Sequence, residues 1–210
     1  MRAALDSFVK ARVNAAQERE FALYYRVQAY PTIVFFDSQG RELDRFTGYI
    51  DPPMFLKLAL EAVDPKTNYV ALKERLRANP GDVEALYYMG YKYARRGEDD
   101  RAEGYFARVE ELDAKNEFGF HDNIALRRAE RLANGEDPAQ ALAALERLRA
   151  KYPDADERER ADLLWARTLW RAGRSQDALQ AYSAFLQQYP QSDQRGQVEA
   201  ALAALQAGAL

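Results

Sequence analysis

The 210-residue chain contains no cysteine, so no side chain in it can supply a thiolate nucleophile, a disulfide or a thiolate-held metal. The only histidine, His121, follows Phe118-Gly119-Phe120 with no acid and nucleophile arranged around it as a general base needs, so a structural or surface place is expected. Asp99-Asp100 and Glu110-Glu111 are acidic pairs that could attract a cation, yet such pairs on helix faces are ordinarily solvated surface. Ser7, Ser38, Ser175, Ser183 and Ser192 lack the strand–turn–helix setting of a nucleophile elbow. No catalytic residue, no metal site and no cofactor is therefore expected. Two stretches carry more information. Tyr30-Pro31-Thr32 precedes the apolar run Ile33-Val34-Phe35-Phe36, as a turn into a buried strand would. In the run from Tyr87 to Tyr93, helical spacing puts Tyr87, Tyr91 and Arg95 on one face and Met89 with Tyr93 on another.

Residues 1–63 carry mixed signals. Phe8 to Val13 alternates apolar and polar residues, which predicts a short strand. Gln17 to Arg26, with Phe21, Leu23, Tyr24 and Tyr25 among charges, predicts a short amphipathic helix. Ile33–Phe36 reads as a strand buried on both faces. Asp37-Ser38-Gln39-Gly40 is a turn, and Leu43–Phe46 returns as the second arm of a hairpin. Asp51-Pro52-Pro53 offers an N-cap and a first-turn proline for a helix reaching Val63.

Beyond about Asn68 no strand is expected and a repeat emerges. Gly90, Ala129 and Ala166 recur at intervals of 39 and 37 residues, in the range of helical solenoids. Ala102, Ala141 and Ala178 follow in register, then Phe106, Leu145 and Tyr182, then Val109, Leu148 and Phe185. Two helices of a hairpin approach closely only where Gly or Ala meets Ala, and the large residue one turn on fills the adjacent groove. Gly97, Gly135 and Gly173 end the first helices, and Pro153 and Pro190 stop the second and third copies. This pattern resembles the tetratricopeptide repeat family over roughly residues 68–205. Repeat one departs from it with Ala114 in place of the closing proline, and repeat two with Arg128 where an apolar residue is usual. The resemblance implies a concave groove, carried onto this chain as Tyr87 and Tyr91, Leu126 and Glu130, and Leu163, Arg167 and Trp170. Tyr, Trp and Arg are the side chains most enriched at binding hot spots. The alternative is that these aromatics pack against the N-terminal segment or a neighbouring repeat. The Lys and Asn set that clamps a C-terminal carboxylate in some family members is absent, which favours extended segments as ligands.

Residues 8–62 resemble the C-terminal half of a thioredoxin-like domain, through Tyr25-Arg26-Val27, Tyr30-Pro31-Thr32-Ile33, the Gly40 hairpin, Thr47-Gly48-Tyr49 and the helix from Pro52. The resemblance implies that Pro31 is cis and that Tyr30, Pro31 and Thr32 form the loop that in complete members lies against a redox-active cysteine pair. Complete members carry a first strand, a Trp-Cys-x-x-Cys loop and a helix ahead of Phe8, where this chain has seven residues. Loss of a central strand leaves backbone groups unpaired, which favours a fragment over a repurposed domain. The open edge is expected to invite another chain or homo-oligomer formation.

The expected architecture is therefore multi-domain α+β. An incomplete thioredoxin-like α/β segment (1–63) leads through a linker and leading helix (64–81) to three helical hairpins (82–190) and a capping helix (191–210) of an all-α tetratricopeptide solenoid. The expected function is a protein–protein interaction module, redox-inactive and not an enzyme as written, resembling bacterial thioredoxin–tetratricopeptide fusions that hold client proteins in a chaperone-like way. Two alternatives stay open: the remainder of a thiol–disulfide oxidoreductase whose catalytic half is missing, and a structural scaffold for a larger complex. The expected partners are proteins or extended peptides in the groove. A net charge of −3 with both signs interspersed argues against nucleic acid. No apolar run nears the roughly 18–20 residues of a membrane span. Met1-Arg2-Ala3-Ala4-Leu5-Asp6 meets an acid too early for a signal peptide, so a cytoplasmic location is expected, unless a signal was lost with a missing N-terminal part.

Overall fold

Helix and strand signals sort as their residue types demand in a computed structural model that describes residues 8–154 and 157–208. Ser7 and the Met1–Asp6 stretch lie outside the described residues. By packing the chain divides into two units, Met1–Phe118 and Gly119–Leu210.

In the first unit a short helix α1 (Arg19–Tyr24) precedes an antiparallel pair, β1 (Thr32–Phe36) and β2 (Glu42–Thr47), followed by α2 (Pro52–Val63). The hairpin turns where expected. The Asp37 carboxylate accepts the amides of Gln39 and Arg41, both at 2.9 Å, and Gly40 takes a φ of +74° that side chains avoid. Asp51 caps α2 by accepting the Met54 amide at 2.9 Å. Phe35 and Phe46 from the sheet meet Leu58, Ala59 and Ala62 of α2 in a small core. Then come α3 (Tyr69–Ala78), capped by Asn68, α4 (Val83–Arg95), capped by Asp82, and α5 (Asp99–Leu112). The α4–α5 crossing shows why glycine occupies position 90. A Cβ there would lie 2.6 Å from a Phe106 ring carbon.

The second unit is helical: α6 (His121–Asn134), α7 (Pro138–Lys151), α8 (Arg158–Arg171), α9 (Ser175–Gln188) and α10 (Arg195–Gln206). Hairpins α6–α7 and α8–α9 repeat the α4–α5 pattern, with α10 packed on α9. Ala129, Ala141, Ala166 and Ala178 are fully buried, as are Leu145, Tyr182, Leu148 and Phe185, each at most 3 % exposed. Arg128 does not break the pattern, because Ile124, Leu126, Ala129 and Ala133 already give α6 a buried stripe. No helix in the described residues is long and apolar enough to cross a membrane.

Two expectations about the N-terminal segment are corrected. Phe8–Val13 is not a strand, and Val9 is fully exposed. Alternation of side chains suits a strand, but ladder hydrogen bonds hold one, and the sheet of the described residues has only β1 and β2. Phe8 alone is retained, edge-on to Phe35 at 5.7 Å between ring centroids. Nor is Ile33–Phe36 buried on both faces: only Phe35 is buried, and Phe36 remains exposed. In a two-stranded sheet a continuous apolar run has too little structure around it to cover both sides.

Candidate binding surfaces

The Tyr30–Pro31 peptide is cis, and the loop it belongs to is closed on both sides. The Thr32 hydroxyl donates to the Ala29 carbonyl at 2.6 Å, and the Gly48 amide donates to the Pro31 carbonyl at 2.8 Å. Tyr30 and Pro31 are exposed and Thr32 is half-buried. The Gly48–Pro31 bond, with Ile33 opposite Phe46 and Phe35 opposite Asp44, makes positions 33 and 35 the hydrogen-bonded positions of the ladder. The amides and carbonyls of Thr32 and Val34 therefore point away from β2. No further strand of the described residues lies on that side, so β1 presents an open edge.

The segment that carries this edge is unusually rich in exposed apolar side chains. Eleven exposed large apolar side chains of the described residues lie between Val9 and Val63, and only Leu112 and Phe118 lie beyond. Leu23, Tyr24, Tyr30 and Tyr49 are between 68 and 87 % exposed. The amphipathic face foreseen for α1 buries only Ala22. Tyr25 is the exception among its aromatics, with its ring against Phe36 at 4.9 Å.

The opposite situation holds at the junction of β2 and α4, which sequence reasoning missed. Asp44 and Lys92 are 2 and 5 % exposed and form a buried ion pair. Arg96, also buried, reaches Glu42 at 3.0 Å and Asp44 at 3.5 Å, while Arg45 forks onto Glu42. Burial pushes the Lys92 ammonium below its ordinary value, against the pull of Asp44. The guanidinium of Arg95 lies over the Phe46 ring at 4.7 Å, and that of Arg96 over Tyr69 at 4.8 Å. The available signal was the spacing: two acids two apart on a strand, and three bases within five residues on a helix. Asp113 was missed too. Where a closing proline is absent, its buried carboxylate accepts the Glu117 and Phe118 amides at 2.7 and 3.0 Å and ends the repeat.

Of the seven groove residues expected from the repeat resemblance, the structure withdraws three. Tyr87, Leu126 and Leu163 are buried, at 7, 1 and 6 % exposure, because each faces its own hairpin core rather than an open surface. Tyr87 packs against Tyr88, Tyr91 and Phe106, and Leu126 packs with Leu145 and Leu148. Tyr91 is half-buried under the Arg95 guanidinium at 5.6 Å. In the second unit Glu130 is held by Arg127 at 2.9 Å and Arg160 at 2.6 Å. Arg167 is exposed and donates to Gln197 of α10 at 2.9 Å. Trp170 is half-buried, edge-on to Tyr182. His121 is buried at the start of α6. Asp99 and Asp100 sit in the first turn of α5, where the helix dipole favours them, and Glu111 is bridged to Arg108. Among the described residues no cluster of His, Cys, Asp and Glu could hold a metal.

A thioredoxin-like domain model matches residues 2–63, and a tetratricopeptide repeat model matches residues 125–155 and 160–192. The α4–α5 hairpin lies outside those matches although it packs around the same small residues. No curated protein and no solved structure matches the chain.

Proposed function

We infer that this chain, a thioredoxin-like domain followed by tetratricopeptide repeats, acts as a chaperone-like holder of extended segments of other proteins. Tetratricopeptide repeats generally mediate protein–protein contact, so an interaction role is the coarse reading. The finer reading rests on one observation: the concentration of exposed apolar side chains between Val9 and Val63, in the same segment as the open edge of β1. Monomeric soluble proteins rarely leave such surface uncovered without a binding use. An extended segment can take up the Thr32 and Val34 backbone groups as an added strand, and the neighbouring aromatics then cover its side chains. The chain holds no thiol of its own, which fits holding rather than disulfide exchange.

The test is suppression of aggregation of a heat-unfolded model protein, followed by light scattering. The full chain should suppress scattering. A Val9→Ser, Leu23→Ser, Tyr49→Ser variant, altered only at strongly exposed positions, should lose most of that effect while keeping its helical circular dichroism. Full suppression by this variant, together with its loss in Trp170→Ala, would move the binding face to the helical repeats and overturn the reading.

A further inference from the structure

A cavity of about 420 Å³ opens within the first unit between the α1–β1 loop, β2 and the start of the helical part. Its volume falls in the range of small-ligand sites, roughly 300–1,000 Å³. The cavity is lined on one side by Tyr24, Tyr25 and Arg26, and on the other by Tyr69, Tyr93, Arg96 and Arg101. It lies where Tyr24 and Thr32, from the apolar edge, face Tyr93, Arg96 and Arg101 of the α4–α5 hairpin.

Its charge is unbalanced. Lys92, Arg26, Arg45, Arg96 and Arg101 stand in or directly behind the cavity against only Glu42, Asp44 and Glu98. Glu42 is already shared by Arg45 and Arg96, and Asp44 by Lys92 and Arg96. Arg101 has a solvent-exposed bridge to Glu98 at 2.9 Å, a kind of pair that is weak in water, and lies over the Tyr93 ring at 5.4 Å. The side chain of Arg96 is 7 % exposed, and its Nε has no hydrogen-bond partner among the described residues. A buried guanidinium with an unspent donor is costly unless something compensates it. Hydroxyl donors point the same way. Tyr69 and Tyr93 share one hydrogen bond at 2.7 Å. Two phenols joined by one bond have spent one proton and keep the other to donate. One wall is aromatic, where Tyr24 stands edge-on to Tyr25 at 4.8 Å, and Gln28, Ala29, Thr32 and Thr47 complete the lining.

We propose that this cavity binds an oxyanion, carboxylate or phosphate, carried on a flat ring. The oxyanion meets Arg101 and the free phenolic proton of the Tyr69–Tyr93 pair and supplies the missing negative charge beside Arg96. The ring lies against the Tyr24–Tyr25 side.

The test is isothermal titration of the full chain at low salt with phenyl phosphate, phenylacetate and the neutral benzyl alcohol. One-to-one binding of at least one anion, weakened by added salt and absent for benzyl alcohol, is the expected result. Which anion binds more tightly decides between phosphate and carboxylate. Arg101→Gln and Tyr93→Phe should each weaken binding about tenfold or more, the ordinary size of a charge-assisted hydrogen bond. Arg101 is exposed, so its variant tests binding without threatening the fold. Equal binding of benzyl alcohol, unchanged binding by Arg101→Gln, or no saturable heat with either anion overturns the proposal.

Discussion

Replacing Lys92 with Met should loosen the β1–β2 sheet far more than a helix surface change would. Met keeps most of the length and packing of the lysine stem, so the main loss is the charge. Asp44, at 2 % exposure, is then left in the interior with the Arg45 amide at 2.8 Å and Arg96 at 3.5 Å as its remaining partners. Stranding one member of a buried pair costs about 3–5 kcal/mol. The two remaining contacts put this case at the lower end, about 3 kcal/mol. At about 1.4 kcal/mol per decade, the amides of Ile33, Phe35 and Phe46 should exchange with solvent roughly a hundredfold faster. Those positions carry the ladder bonds, so native-state hydrogen exchange reads the loss where it arises. A double variant, Lys92→Met with Asp44→Leu, removes both charges and should return exchange to within about tenfold of the parent, since an apolar replacement of a buried pair is often neutral or better. Exchange in Lys92→Met within about threefold of the parent, or a double variant no slower than the single, would show that the pair does not hold the sheet to α4.

Three further outcomes are expected. Gly90→Ala should destabilise the chain by about 1–3 kcal/mol in urea, because the added Cβ meets the Phe106 ring at 2.6 Å and overpacking outweighs alanine's helix preference. Burial raises the Asp82 carboxyl, but Arg75 and the Ala85 amide outweigh it and hold the group below the usual carboxylate range. Its stabilisation is therefore complete above the unfolded value near about pH 3.9 and is lost as pH falls through the folded value. Asp82→Ala should cost about 1–2 kcal/mol at neutral pH through cap and ion pair, and the urea midpoints of parent and variant should converge as pH falls below the unfolded value. Finally, dithiothreitol-driven insulin reduction by the chain should match a buffer blank, since no residue can supply the attacking thiolate.

Local rules carried the sequence a long way. The helical hairpins were legible because small residues at the crossings and large ones a turn later repeat in register, and every one of those positions is buried. The turn at Asp37-Gly40 and the cap at Asp51 were legible because their chemistry is satisfied within a few residues. The cis loop at Pro31 came from resemblance, and the structure bears it out. Only the tertiary structure decided what lies between elements. Phe8–Val13 has a strand's pattern but no neighbour to bond, so it is not a strand. Tyr87, Leu126 and Leu163 occupy positions expected to face a groove and instead fill hairpin cores. Asp44 and Lys92, 48 residues apart, become a buried pair because β2 packs on α4, which neither local segment specifies. Helix periodicity fixes which residues share a face, whereas the identity of what that face meets depends on contacts distant in the chain.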